Sequence, residues 1–291
     1  MKRFKIGGVP EHFNLPWRLA IEEGRLDELG VEMHWSDMTG GTGQMVKGLQ
    51  AGTLDIAVLL TEGITKAILE GLDAKILNVY VATPLRWGIH VPVDSDIESA
   101  EDIRGRKFAI SREGSGSHLM AYVNAYQKGW NTSELEFSVV GDVYGGLWAL
   151  QNKEAEVFLW EKYTTHPFVV QGKCRCVGEV VTPWPCFVVA VSNKAFEKHE
   201  AVLRQVLDIV GAAAREIKAD AAAADEIAWR YSLDPAQAKS WLSETEWRYC
   251  GENPADQYSV VVDYLSKIGF VADSQKESWE EKLFGKSSVS L

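Results

Sequence analysis

Two short runs of glycine and hydroxyl residues are the first candidates for chemistry, Thr39 to Gly43 and Gly114 to Ser117. Each reads as a turn that opens a helix, and the unpaired amides of a helix start suit a small polar or anionic group. Gly41, Thr42 and Gly43 on one side, with Gly114, Ser115 and Ser117 on the other, would supply those amides and hydroxyls. The first run is not a phosphate loop: G-x-x-x-x-G-K-[ST] places the lysine after the second glycine, whereas Lys47 here precedes Gly48. A dinucleotide fingerprint fails too, since G-x-G-x-x-G cannot be laid over Gly40, Gly41, Gly43 and Gly48. A pair of plain tight turns is the alternative, but two runs at matching topological positions favour binding.

Other candidates stand in segments that follow predicted strands: Glu11, His12, Asn14 and Trp17 after the first, Thr61 and Glu62 after the third, and Arg86 with Trp87 at a crossing. Trp160, Glu161 and Trp184 belong to later segments. For each charged residue the ordinary reading is a solvated or ion-paired position. Three carboxylates at one cleft would repel a sulfonate unless Arg86, Arg112 or helix amides neutralised them, and would welcome an amino group or protonated heterocycle. His12 would tune affinity near neutral pH. Each tryptophan is either a packing residue or a wall for a flat ring or alkyl chain, which points to an organic ligand.

Catalytic constellations are weak. Ser115 and His118 sit in "EGSGSH", which is not G-x-S-x-G, and "HEAVLR" at His199 lacks the second histidine of H-E-x-x-H. The chain is therefore read as a non-enzyme without cofactor. Cys174, Cys176, Cys186 and Cys250 lack metal-ligand spacing and read as packing residues, with Cys174 and Cys176 on one face of a strand. No metal site is expected.

These residues need elements to place them. Short apolar strands alternate with helical stretches: "FKIGGV", a helix from about Pro16 to Glu28, "VEMHWSD", a helix through Gln44 to Leu49, "DIAVLL", a helix from Glu62 to Leu69, then "AKILNVYV". That alternation implies parallel sheet flanked by helices. "SAEDIRGRKFAI" reads as a short helix and turn feeding a strand. "LQAGTLDIAVL" from Leu49 and "LQNKEAEVFLW" from Leu150 align without gaps, pairing Gln50 with Gln151 and Asp55 with Glu156. Each has glycines upstream, Gly40, Gly41 and Gly43 in one copy and Gly141, Gly145 and Gly146 in the other. Two related α/β lobes account for the echo, with chance as the alternative. From about Lys194 the pattern turns helical, with Val202, Val206, Leu207 and Val210 on one stripe and cap signals at Asp234-Pro235 and Asn253-Pro254. This tail reads as chemically quiet.

Composition bounds the rest. The 291 residues are 46% hydrophobic and 24% charged, and a net charge of -11 disfavours nucleic acid and anionic membranes as partners. No apolar run is long enough to span a bilayer, and the amino terminus lacks the apolar core of a secretory signal. The chain as read is cytoplasmic, or periplasmic if a native leader has been removed.

"KIGGVPEHFNLPWRLAIEEG", "TGGTGQMVKGLQAGTLDIAVLLTEG", "SAEDIRGRKFAISREGSGSH" and "VFLWEKYTTHPFV" resemble the type 2 periplasmic-binding-protein family, in the branch for alkanesulfonates, nitrate, taurine and thiamine pyrimidine precursors. The resemblance runs to about Asn193 and implies a two-lobed clamp hinged at two crossovers, delivering a small ligand to an ABC transporter permease. Lobe 1 would be residues 1–87 with 190–291, lobe 2 residues 88–189, with the carboxyl-terminal helices packed on lobe 1. "WGIHVPV" and "CFVVAVS" would cross between them. A monomer is expected. The cysteine-rich motif of the pyrimidine synthases is absent, so that activity is not carried over; an intracellular sensor or biosynthetic enzyme on the same fold is the alternative.

Overall fold

The computed structural model describes residues 1–248 and 255–285. Cys250 and the Asn253-Pro254 cap signal lie outside the described residues.

Two five-stranded sheets organise the chain. The first contains β1 (Lys2–Gly8), β2 (Val31–Asp37), β3 (Ile56–Leu60), β4 (Ala74–Val81) and β10 (Phe187–Ser192), in the order β2-β1-β3-β10-β4. The second contains β5 (Arg86–Val91), β6 (Lys107–Ile110), β7 (Glu136–Val139), β8 (Val157–Glu161) and β9 (Arg175–Val181), in the order β7-β6-β8-β5-β9. The two orders are the same once each half is counted from its own first strand. In both, the strand next to the last has crossed over from the other half and runs antiparallel to its neighbours. The remaining strands share one direction, as strands joined through helices must.

The echo in the sequence becomes an equivalence of hydrogen bonds. Asp55 precedes β3 and its carboxylate accepts the Lys5 amide of β1 at 2.9 Å; Glu156 precedes β8 and accepts the Lys107 amide of β6 at 3.2 Å. The helices α2 (Gly41–Gln50) and α5 (Val143–Gln151) end on the aligned glutamines. Chance does not reproduce side-chain roles.

The other helices of the two halves are α1 (Leu15–Glu22), α3 (Thr61–Leu69), α4 (Gly116–Gln127) and α6 (Lys162–Val170). α1 stops well short of Glu28 because Gly24 adopts a left-handed φ of 67°. Asn14 does not cap it: its Nδ2 donates to the Val9 carbonyl at 2.8 Å, and the buried Oδ1 has no partner. The stretch expected to form a short helix at 99–105 is a run of turns instead, because the Asp102 carboxylate accepts from the Glu98 and Ser99 amides and fixes a local loop. Cys174 is buried before β9 begins and Cys176 is exposed, so they do not share one face.

Central strands are buried from end to end: Ile56 to Leu59 and Phe187 to Val191 are almost fully enclosed. Each such aliphatic side chain stabilises the fold by roughly 1.5–3 kcal/mol relative to exposure. The carboxyl-terminal helices α7 (Asn193–Ala219), α8 (Ala223–Tyr231), α9 (Pro235–Glu244), α10 (Ala255–Lys267) and α11 (Trp279–Phe284) close the molecule. α7 buries Val202, Val206, Leu207 and Val210 as its periodicity predicts, packing on α1, β4 and β10. α10 and α11 pack on α3.

Candidate functional site

The loops that follow β1, β2 and β3 meet those that follow β6 and β8. The glycine turns lie across one small cavity, lined by Thr42, Leu60, Glu62, Gly63 and Lys66 from the first lobe and by Gly114, Ser115, Gly116 and Leu119 from the second. Arg112 bridges the lobes, donating to the Gly40 carbonyl at 3.0 Å. Its guanidinium lies over Gly43, where a Cβ would stand 2.4 Å from Nη2. On the other face, Gly116 sits against Leu60 of the first lobe and the buried Trp87 ring, so a Cβ there would be 2.6 Å from the indole. Close approach of backbone explains both glycines. Gly41, with φ 63°, is needed for conformation as well, so Gly41→Val would strain the turn besides any effect on a ligand.

The second turn is built by its own hydroxyls. Ser115 Oγ accepts the His118 amide and caps α4, while Ser117 Oγ accepts the Ser111 amide at 3.0 Å. Ser115 therefore faces the His118 backbone, and the His118 ring is packed against Phe137, Tyr122 and Phe270. A serine–histidine nucleophile pair is not formed.

Three carboxylates gather between the lobes. Glu62 is buried; its Oε2 accepts Trp184 Nε1 at 2.9 Å, and its Oε1 has no partner. Burial pushes its pKa up to about 7. Glu161 is buried at the start of α6, accepting the Tyr163 amide at 3.1 Å and the Thr164 amide and hydroxyl at 2.7 Å. Burial raises its pKa despite these bonds. Glu11 is half-buried, and desolvation together with the nearby Glu161 pushes it up to about 8. The Cys186 thiol, raised chiefly by its burial, also feels both Glu62 and Glu161, so both carboxyls lie near it.

A second cavity of about 250 Å³ lies at the crossing between lobes. Its lining comes from Phe13, the segment Thr83 to Arg86, Glu161, Tyr163 and Val181, and from the tail residues Trp241, Glu244 and Thr245. Arg86 Nη1 and Nε pair with Glu179 and Glu244 at 3.0 Å each, so its charge is spent within the protein.

Other predicted site residues are placed elsewhere. Trp17 is buried against Tyr80, and Trp160 packs on Phe158 among the apolar residues of the second lobe. Thr61 is buried and donates to the Pro185 carbonyl at 2.5 Å; Thr39 is exposed in its turn. His12 does not titrate near neutrality: enclosed by Phe13, Trp241 and Tyr231, it is driven by burial down to a pKa of about 3. The tail is not quiet. Trp241 and Glu244 line the larger cavity, while Leu265 and Phe270 line the smaller. Their helical periodicity looks like core packing, and only the fold reveals which rings face the gap. Among the described residues, no group of three or more His, Cys, Asp or Glu is placed to hold a metal ion, and no helix is long and apolar enough to cross a membrane.

Two matching sheets with exchanged strands and a cleft between their facing turns define a periplasmic-binding-protein fold. The comparisons agree. Residues 87–180 match the family model described as Ca3427-like PBP. The solved Candida albicans CA3427 gene product, described as defining a new family with the generic periplasmic binding protein fold, is similar with a TM-score of 0.89 at 23% identity, over 100% of this chain and 98% of that one. The alkanesulfonate-binding protein SsuA from Xanthomonas axonopodis pv. citri, bound to MOPS, gives 0.78 at 15% identity over 94% and 95%. The nitrate-binding protein NrtA from Synechocystis PCC 6803 gives 0.71 at 14% over 97% and 86%. No curated protein sequence matches the chain significantly.

The Arg112 bridge yields a direct prediction. A hydrogen bond from a charged donor is worth about 1.5 kcal/mol, or roughly tenfold in an equilibrium. Arg112→Ala is expected to shift the closed-to-open ratio by about that factor, read as a larger radius of gyration in small-angle X-ray scattering. An unchanged scattering curve would show that the bridge does not hold the lobes.

Proposed function

We propose that the protein binds a small organic molecule between its lobes and closes over it. The observation that carries this reading is the junction of the two glycine turns, where the Arg112 side chain of one lobe lies over Gly43 of the other and the Leu60 side chain lies against Gly116. A cleft built from glycines on both faces is shaped for closure, and a ligand stabilises the closed population by its differential affinity. The moving bodies are the two sheets with their helices, turning about segments 82–85 and 182–186, which lead into the exchanged strands. These segments lie close to the lobe boundaries expected at residues 87 and 189. Glu11, Thr42, Glu62, Ser115, Glu161 and Trp184 are the proposed ligand-facing residues, acting without catalysis. Delivery of the ligand to an ABC permease is part of the same proposal.

A thermal-shift screen of sulfonates, amino-pyrimidines and small inorganic anions tests the reading. A ligand at a hundred times its Kd raises stability by about 2.7 kcal/mol, and scattering with that ligand should show a more compact particle than without it. Stabilisation without compaction would leave binding but remove the hinge.

A further inference from the structure

We propose that the cavity at the lobe crossing receives an organic cation, an ammonium group or protonated nitrogen ring, with its charge set against Glu161 and Glu11 and its faces against Phe13, Tyr163 and Trp241. This deepens the hinged-cleft reading and rests on it.

The first argument is the balance of charge around the cavity. Four carboxylates lie in or beside it: Glu11, Glu161, Glu179 and Glu244. Two cations face them, and both are committed. Arg86 pairs with Glu179 and Glu244, and Lys162 pairs with Glu179 at 2.5 Å. Glu161 and Glu11 form no ion pair among the described residues, although Lys162 eases the charge on Glu161, and the two carboxyls come from opposite lobes and are close enough to repel. His12 beside them is enclosed by aromatic rings and neutral. Arg112 is not free to help, being engaged with the Gly40 carbonyl at the other junction. Carboxylates buried without a counter-ion either stay protonated or await a positive charge.

The second argument is the wall. Phe13, Tyr163 and Trp241 line the same cavity, and aromatic faces attract a cation electrostatically, more strongly when water is excluded. Trp241 is almost fully buried, and its Nε1 has no partner. Rings and acids together fit an organic cation better than a metal ion, for which no coordinating group stands among the described residues. An anion would meet Glu161 and Glu244 here, and the Arg86 charge is already paired.

The test uses isothermal titration of the whole chain with benzylammonium, benzyl alcohol and benzenesulfonate, three probes of similar size and different charge. Benzylammonium should bind at least tenfold more tightly than the other two. Glu161→Gln should reduce that affinity about tenfold. Because Glu161 also caps α6, Glu11→Gln serves as the second variant, since the Glu11 side chain makes no cap hydrogen bond to the short 3-10 turn it precedes, and it should give a loss of the same sign. Equal or tighter binding of benzenesulfonate with compaction in scattering would overturn the charge assignment and leave the hinged cleft standing. Failure of all three probes to bind or compact the protein would count against both. Benzylammonium affinity unaltered in both variants would place the cation elsewhere and overturn the proposal.

Discussion

Raising the pH from about 4.5 to about 8 is expected to lower the melting temperature of the ligand-free protein. The cause lies between the lobes. Glu62 and Glu11 have pKa values raised by burial from 4.5 to about 7 and about 8. A carboxyl group with a raised pKa contributes its full stability below the unfolded value and loses it as pH climbs through the folded one. His12 has the opposite sign. Its pKa falls from 6.5 to about 3, so its contribution is complete above 6.5 and is lost as pH drops toward 3. Between 4.5 and 6.5 the two acids are offset by His12 together with His90, whose burial lowers its pKa from 6.5 to about 4, and above 6.5 the acids act alone, so the net loss falls in the upper part of the range. For Glu62 the shift corresponds to about 3 kcal/mol, or about 6 °C in a chain of this length. Differential scanning fluorimetry across the range measures it, and Glu62→Gln should flatten the slope. A wild-type melting temperature that rises with pH, or a variant that keeps the full slope, would remove buried carboxyls as the cause.

Gly145→Ala should destabilise the protein by about 3 kcal/mol, although alanine is the better helix former. At Gly145 a Cβ would stand 1.9 Å from the Val140 carbonyl oxygen, and backbone cannot rotate aside as a side chain does. Nor can the first turn of α5 slide away cheaply, because the Gly145 amide is capped by Asp142 Oδ1 at 2.9 Å. Gly146→Ala would meet the Phe158 ring at 2.4 Å and should cost a comparable amount by forcing the second lobe's core apart. Urea unfolding of both variants against wild type gives the measurement. A midpoint shift under one-fifth of the predicted loss would mean that α5 has freedom the packing denies it.

Those two glycines show where the sequence could and could not be read. Gly145 and Gly146 look like the counterpart of Gly40, Gly41 and Gly43, yet the aligned positions in the first half are Gln44 and Met45. Their smallness answers Val140 and Phe158, which are contacts inside the second lobe, and no ligand is needed to explain them. The strands, the two crossing segments and the repeat are legible because apolar runs and their spacing encode them locally. The Asp55 and Glu156 pairing was legible for the same reason. What escaped notice depends on the meeting of distant segments. Trp241 and Glu244 enter a cavity with Phe13, more than two hundred residues away, and nothing in their own helix marks them. His12 gives no local sign of its burial because, besides the adjacent Phe13, the rings that enclose it, Trp241 and Tyr231, lie more than two hundred residues away in the chain. Trp160 was misplaced by strand alternation: it points to the face covered by Phe158 and its cluster.

The exchange of β5 and β10 has a consequence for how the chain must assemble. The first sheet receives its interior strand β10 only after the whole of the second, so it cannot be completed by a contiguous stretch of polypeptide, whereas β5 to β9 of the second follow one another in the chain. A cut in the connection between β5 and β6 would yield two pieces, each lacking the strand that fills the gap between its third and fourth. Such pieces would present raw hydrogen-bonding edges until they found one another. The first half therefore gains its complete sheet only once the chain has passed through the second half and returned.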